Sequence, residues 1–179
     1  MVIPPKHSRV MYQTSAQLSE CPLRFVDSFI YLGHVINKDM TDDADIRKQT
    51  RQLTVVGNSL IRKFNYCSQE VKMELFRSHC YSLYCNSLWS RYRAATMRKL
   101  KVCHNDILKR LLGLPRWASS SLAFAGQGVK CLAEIRRHAV CSMRDRVERS
   151  SNSVISSVRC SSAYVLSPLY QEWSRLLFL

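Results

Sequence analysis

Hydrophobic and polar positions follow a strand-like pattern at the start of the chain and a helical period after Asn37. Three short segments near the N-terminus are rich in β-branched and aromatic residues and are separated by polar or proline-bearing breaks. These segments are Arg9–Gln13, Leu23–Val26 and Phe29–Leu32. They predict a small antiparallel sheet of two or three strands. Because so small a sheet is barely stable alone, we expect it to pack against another part of the chain.

The first predicted helix follows Thr41, which can serve as its N-cap. Asp42, Asp43 and Asp45 then fall in the first turn, where carboxylates meet the positive end of the helix dipole. Apolar side chains recur at helical spacing in one stripe formed by Ile46, Leu53, Val56, Leu60, Phe64 and Cys67. On the opposite side, at about 100° per residue, a basic face is formed by Arg47, Arg51, Asn58 and Arg62. The sequence therefore predicts an amphipathic helix with one apolar face and one basic face.

A second helix is predicted from Gln69 to about Ser90, with Ser68 as its cap. The side chains expected to face inward are those of Val71, Leu75, Phe76, Cys80, Leu83, Tyr84 and Leu88. This helix would pack its apolar side against the first.

A third helix is predicted from about Ala94 to Leu112 and is ended by Gly113 and Pro115. Further helices are predicted at Ser119–Gly126, Cys131–Ser150 and Pro168–Phe178. The serine-rich stretch Ser150–Ser162 is predicted to be a loop, a frayed helix or a disordered stretch. The expected fold class is mainly α, with a small N-terminal antiparallel hairpin or sheet followed by a helical bundle and a helical extension.

Composition adds a strong charge signal to this picture. The 179 residues include 27 Lys and Arg against 13 Asp and Glu, a formal net charge of +14. Such a field attracts polyanions, of which nucleic acid is the commonest in cells and an anionic membrane surface the next, although a solvated basic surface is the simpler alternative. The hydrophobic fraction of 46% argues against wholesale disorder, and no apolar run has the roughly 18 residues that a spanning helix needs. Met1–His7 lacks a signal-peptide pattern, so we expect an intracellular protein, with the nucleus as one candidate location.

The cysteines and histidines do not form a recognisable metal motif. The eight cysteines include no C-x-x-C pair, and none of the five histidines completes a set with zinc-ligand spacing. We therefore expect no structural zinc and reduced, mostly buried thiols. His104, beside Cys103, lies in a helical and Lys-rich segment, which favours a half-buried or surface histidine over a catalytic one.

One group of carboxylates is dense enough to suggest a divalent metal, and it comprises Asp39, Asp42, Asp43 and Asp45. It lacks the glycine and the terminal glutamate of a calcium loop, and a helix-capping role is sufficient to explain it. Gly126-Gln-Gly128 is too short for a phosphate-binding loop. The sequence by itself therefore indicates no active site.

An ordered series of motifs resembles the reverse transcriptases of LINE-type (non-LTR) retrotransposons. Phe25–Asp39, with the aromatic-Leu-Gly turn Tyr31-Leu32-Gly33, is similar to the end of their palm domain. The stretch from Asp42–Gln49 through Ser59–Phe64 resembles the first helix of the thumb. The pieces that fit the downstream region are Cys67-Ser-x-x-Val71-Lys72, Tyr81–Trp89, Leu108–Trp117 and Arg146-x-x-x-Ser150-x-Asn152. The likeness spans about residues 1–155.

The resemblance implies a grip on a template–primer duplex. Tyr31, Leu32 and Gly33 would form the primer grip, and the helices after them the thumb. The basic residues expected to track phosphates of RNA or an RNA–DNA hybrid, without reading sequence, are Arg47, Lys48, Arg51, Arg62 and Lys63. The expected organisation is the end of the palm at 1–38, a thumb-like bundle at 39–113 and a helical extension at 114–179.

The chain also departs from that family. The polymerase chemistry of the family uses two magnesium ions held by palm aspartates, two of them in an aromatic-x-Asp-Asp turn. Here Asp42-Asp43 follows Met40-Thr41, opens a helix and comes after the Tyr-Leu-Gly turn, so it is not that motif. We therefore expect a non-catalytic fragment without a cofactor of its own, with Met1 an internal methionine of a decayed or longer element. The alternative is a helical protein-interaction module, whose partner would be the missing palm and fingers or another protein.

Overall fold

The computed structural model describes residues 17–18, 21–22 and 26–178. In these ranges short strands come first and helices follow. The strands are β1 (Gln17–Leu18), β2 (Cys21–Pro22), β3 (Ser28–Tyr31) and β4 (His34–Asn37). The helices are α1 (Asp43–Lys63), α2 (Gln69–Cys80), α3 (Ala94–Leu111), α4 (Ser120–Gly126), α5 (Leu132–Glu148), α6 (Ser153–Arg159), α7 (Ser162–Val165) and α8 (Pro168–Phe178), with a 3₁₀ helix at Asn86–Leu88. No helix in these ranges has both the length and the apolar character needed to cross a membrane.

The predicted fold class, mainly α with a small antiparallel β part before the helices, is confirmed. β3 and β4 form a hairpin in which Tyr31 pairs with His34, and β1 pairs with β2. The predicted strand at Arg9–Gln13 and residues 23–25 of the second predicted strand lie outside the described residues. The third predicted strand corresponds to β3, and β4 packs against α1 as a small sheet requires.

α1 and α3 lie side by side, run parallel and form the centre of the core. At their N-terminal ends the Arg93 N–H donates to Asp43 Oδ1 at 3.1 Å, and near their C-terminal ends Arg110 Nη1 donates to Asn58 Oδ1 at 2.9 Å. Buried side chains of α1, α2, α3 and α4 form one hydrophobic cluster between them. This cluster includes residues on both sides of residue 113, and the predicted domain boundaries stay predictions.

A glycine sets how closely the two helices approach. A Cβ atom added to Gly57, in the middle of α1, would lie 2.4 Å from Ile107 Cγ1 on α3. Glycine inside a helix costs about 1 kcal/mol relative to alanine. Its presence here follows from the packing, because the Ile107 side chain occupies the space that a methyl group would need.

The predicted extent of α3 is confirmed to within one residue, but α1 ends at Lys63, so Phe64 and Cys67 of the predicted apolar stripe lie beyond the helix. Ile46, Leu53 and Leu60 are buried, and α3 ends before Gly113, whose φ of +68° is typical of a helix C-terminus. The predicted N-cap at Thr41 is wrong, because Asp42 takes the N-cap position and makes no side-chain capping bond there.

The prediction that α2 continues to about Ser90 is wrong. Ser68 does cap α2, since its hydroxyl accepts from the Val71 N–H at 3.5 Å, but the helix ends at Cys80. Residues 81–93 instead form an irregular segment that buries Trp89 against the core. Tyr84, which was predicted to face inward, lies in this segment and is 52% exposed. Val71, in the first turn of α2, was also predicted to face inward and is 46% exposed.

The helices predicted after α3 are confirmed to within two residues at each end as α4, α5 and α8. The serine-rich stretch forms the short helices α6 and α7, in which no residue is buried. α8 is anchored by Trp173, whose indole donates to the Ser87 carbonyl at 2.7 Å, and by buried Glu172, which accepts from Arg136 at 3.3 Å.

The thiols and His104 differ in burial from the predictions. Of the seven free cysteines among the described residues Cys80 alone is buried, so the prediction of mostly buried thiols is wrong. Burial raises the pKa of the Cys80 thiol to about 12, which keeps it unreactive. His104 is completely buried, rather than half-buried or on the surface, because its ring packs between Phe76 and Phe124 at centroid distances of 5.1 and 5.4 Å.

Candidate nucleic-acid interface

The basic face predicted for α1 is exposed. Arg47, Arg51 and Arg62 lie opposite the buried stripe, and they extend over about 22 Å of helix at 1.5 Å per residue. Lys63 is exposed at the C-terminal end of the same helix. Asn58 differs from these residues because it is half-buried and accepts a hydrogen bond from α3. The face therefore consists of separate cations along one helix.

The turn Tyr31-Leu32-Gly33 forms the exposed tip of the hairpin. Leu32 and Gly33 are the two loop residues and have φ values of +46° and +82°. A Cβ at Gly33 would approach Tyr84 Cε1 to 3.2 Å, so both the backbone conformation and this packing favour glycine. Leu32 is 72% exposed and holds a backbone conformation that a leucine rarely adopts. Burial does not account for a leucine at this position.

Lys48 joins the hairpin to α1. Its Nζ donates to the Gly33 carbonyl at 2.7 Å, so this cation is already engaged with the turn. The structure thus brings Lys48 together with Tyr31, Leu32 and Gly33 at the N-terminal end of α1. Arg62 and Lys63 belong to the other end of the helix.

Asp45 fixes the position of the hairpin. Its side chain is completely buried, and its two oxygens accept from the Val35 N–H at 3.1 Å and from the Trp89 indole at 2.8 Å. His34 Nδ1 lies 3.2 Å from the same carboxylate. Asp45 therefore connects β4, α1 and the segment before α3, and capping is not the role of its side chain.

Asp42 and Asp43 extend this connection. Asp42 Oδ2 accepts from the N–H groups of Ser90 and Arg91, both at 2.8 Å. Burial of Asp43 favours its neutral form, but hydrogen bonds from Thr96 and the Arg93 N–H, together with nearby guanidinium groups, hold its pKa below the usual range. Asp42 and Asp43 therefore bind the segment 90–96 and make no capping bond to α1. The predicted capping role is wrong for these two side chains, whereas the predicted position of Asp43 and Asp45 in the first turn of α1 is confirmed.

Several cations beside this surface were not predicted from the sequence. Arg91 and Arg93 line a cleft of about 580 Å³ together with Arg47 and with the carboxylates of Asp39 and Asp43. A groove of about 420 Å³ between α1 and α3 is lined by charged and polar residues that include Arg98, Lys99, Asp106 and Arg110. The helical period of α3 could have indicated Arg98 and Lys99, whereas Arg91 and Arg93 depend on the irregular segment 81–93. With these residues the basic surface extends from α1 to the end of the segment 81–93 and to α3.

Comparison of the chain with protein-family models, with curated proteins and with solved structures gives no match.

Proposed function

We propose that this chain holds RNA or an RNA–DNA hybrid along the basic face of α1 without reading its sequence. In this proposal it is a thumb-like part of a LINE-type reverse transcriptase, and the hairpin tip Tyr31-Leu32-Gly33 acts as the primer grip. The chain contributes the grip on the nucleic acid but not the polymerase chemistry.

One observation carries the proposal, namely three exposed arginines in line on the face of α1 that lies opposite the core. Arg47, Arg51 and Arg62 form no ion pair within 4.0 Å among the described residues. The Arg47 Nε donates to the Asp43 carbonyl at 3.0 Å, which leaves its Nη atoms to contact a phosphate. Guanidinium groups in such a row can contact successive phosphates without contacting base edges. Lys48 supports the same reading, because its bond to Gly33 holds the hairpin tip beside the row.

The test is the salt dependence of binding to a short RNA–DNA hybrid, measured by fluorescence anisotropy. Each phosphate contact contributes about 0.7–0.9 to the slope of log affinity against log salt concentration. We therefore expect the triple variant Arg47→Ala/Arg51→Ala/Arg62→Ala to bind more weakly and to have a slope that is shallower by about 2–3.

A charge-matched control separates a local contact from the general field of the protein. Lys130→Ala/Arg146→Ala/Arg149→Ala removes the same formal charge from positions just before α5 and at its C-terminal end, which are exposed. We expect this control to keep most of the slope. A flat salt response of the wild type, or equal losses in the two triple variants, would contradict the proposal.

Polymerisation is tested separately. We expect no template-directed primer extension by the purified chain with magnesium and deoxynucleotides. Extension above that of a mock-purified sample would refute the non-catalytic assignment.

Exposed apolar residues on the hairpin favour a second candidate, a protein-interaction module. Phe29, Ile30 and Leu32 are 50%, 65% and 72% exposed, which is unusual for a two-stranded ribbon. The partner expected for this surface is the palm and fingers of such a polymerase, produced as a separate polypeptide. Calorimetric binding that is lost in Phe29→Lys/Leu32→Lys and kept in the arginine triple variant would favour this candidate.

A further inference from the structure

Two exposed aromatic residues lie at the end of the molecule that is remote from the hairpin. Tyr66, in the loop after α1, is 99% exposed, and Trp117, in the loop after α3, is 87% exposed. Because α1 and α3 run parallel and are joined near their C-terminal ends by the bond from Arg110 to Asn58, both loops emerge at the same end of the helix pair. Neither ring is covered by the core.

The loop that carries Trp117 is held in place by hydrogen bonds. Lys109 is buried, and its Nζ donates to the Arg116 carbonyl at 2.9 Å. The Leu114 N–H donates to the Lys109 carbonyl at 2.8 Å, and the Ala118 N–H donates to the Pro115 carbonyl at 3.0 Å. The indole is therefore presented on an ordered turn, which lowers the entropic cost of binding to its face.

Basic residues outnumber acidic ones close to these rings in the sequence, where the nearest acids are Glu70 and Asp106. Arg62 and Lys63 precede Tyr66, and Arg110 and Arg116 precede Trp117. Neither residues 57–69 nor residues 107–118 contain an aspartate or glutamate. The positive side chains exceed the partial negative charges at the C-terminal ends of α1 and α3, so this end favours an anionic ligand.

We propose that Tyr66 and Trp117 stack on unpaired bases of single-stranded RNA or DNA, whose phosphates are held by Arg62, Lys63, Arg110 and Arg116. The site would take a strand that leaves the duplex bound along α1. This inference rests on the proposed function in that it shares Arg62 and Lys63 with it, but the two aromatic rings are a separate feature.

Charge and ring chemistry together favour single-stranded nucleic acid over other ligands. Exposed aromatic rings in a positively charged setting bind bases through their π-faces, with little preference for sequence. A duplex keeps its bases paired and cannot use these rings, so the site selects unpaired bases. The ligand class is thus a flexible, sequence-unspecified strand of a few nucleotides.

Tryptophan fluorescence provides a direct measurement. The chain has three tryptophans, and Trp89 and Trp173 are each only 1% exposed. Quenching by an added ligand therefore reports on Trp117. We expect a mixed-sequence single strand of about 12 nucleotides to quench its emission, and a blunt hybrid of the same length to quench it much less.

Variants of exposed residues test the stacking itself. Trp117→Ala and Tyr66→Ala should each weaken single-strand binding in anisotropy about tenfold. Trp117→Phe, which keeps a ring, should stay within about threefold of the wild type. Leu122→Ala is the matched control, since Leu122 is 74% exposed on neighbouring α4 but has no ring, and its affinity should not change.

Several results would overturn the inference. These are an unquenched Trp117, full affinity in Trp117→Ala, an equal loss in Leu122→Ala, or quenching by anionic phospholipid vesicles but not by the single strand. The proposed function is judged by other data, because Arg47→Ala/Arg51→Ala should weaken hybrid binding while the single strand still quenches Trp117. If the wild type does not bind the hybrid but its Trp117 emission is still quenched by the single strand, only the proposed function is contradicted.

Discussion

Replacing Asp45 by asparagine should loosen the hairpin from α1 and destabilise the whole protein. The carboxylate accepts from two N–H groups, those of Val35 and Trp89, in a site with no exposure. Asparagine keeps one acceptor oxygen, and its NH₂ group must then face the second N–H donor. The substitution removes one charge-assisted bond and leaves a buried donor unmatched.

The magnitude follows from these two effects. A hydrogen bond to a buried charged group contributes about 1.5–3 kcal/mol, and an unsatisfied buried donor costs about 1–3 kcal/mol. Because the two effects overlap at the same N–H, we expect a loss of about 3 kcal/mol in the free energy of unfolding. This is a large part of the 5–15 kcal/mol that stabilises a typical domain.

Urea denaturation followed by far-ultraviolet circular dichroism measures this loss, and hydrogen exchange at the Val35 amide locates it. Asp39→Asn is the control, because Asp39 belongs to the same acidic segment but is exposed, and it should change the stability by less than about 0.5 kcal/mol. An Asp45→Asn protein with unchanged stability and unchanged protection at Val35 would refute the proposed connection.

Four further outcomes follow from the packing. Gly57→Ala should lower the free energy of unfolding measured in urea by about 1–2 kcal/mol, because overpacking against Ile107 outweighs the gain in helix propensity. Adding Ile107→Val to this variant should recover part of the loss. Leu32→Asn should raise the melting temperature slightly, since asparagine tolerates a positive φ better. Glu172→Gln should cost about 3–5 kcal/mol in urea, because it leaves a buried guanidinium unpaired. Burial lowers the pKa of His104 from 6.5 to about 4, so as the pH falls the unfolded chain is protonated before the folded one. About 3 kcal/mol of the free energy of unfolding is therefore present above pH 6.5 and should be lost as the pH falls to 4. His104→Leu should abolish that part of the pH dependence.

The sequence predicted best what depends on local periodicity. α1 and α3 were predicted because their apolar positions recur at helical spacing, and the exposure of Arg47 and Arg51 follows from the same period. The turn at Tyr31-Leu32-Gly33 was expected from the resemblance alone, whereas the local pattern placed Leu32 in a strand; Leu32 and Gly33 form the hairpin tip with positive φ values. Each of these features is determined by a few neighbouring residues.

Features that depend on distant contacts were not predicted. α2 ends at Cys80 because the segment after it buries Trp89, whose indole donates to Asp45 in a region 44 residues earlier. No local pattern distinguishes that arrangement from a longer helix. The acidic cluster was interpreted as capping for the same reason. The sequence does show Trp117 directly after Arg116 in a predicted loop. That its loop and the loop of Tyr66 emerge at the same end depends on the parallel packing of α1 and α3.

The parallel pairing of α1 and α3 has a consequence for synthesis of the chain. α1 leaves the ribosome before the helix that covers its apolar stripe, and the intervening α2 and segment 81–93 must first return along the length of the pair. A nascent chain that stops short of Leu111 therefore has only α2 to cover the apolar stripe of α1 and leaves part of that stripe exposed. Such truncated products should aggregate or bind chaperones, whereas chains that extend past α4 can complete the hydrophobic cluster.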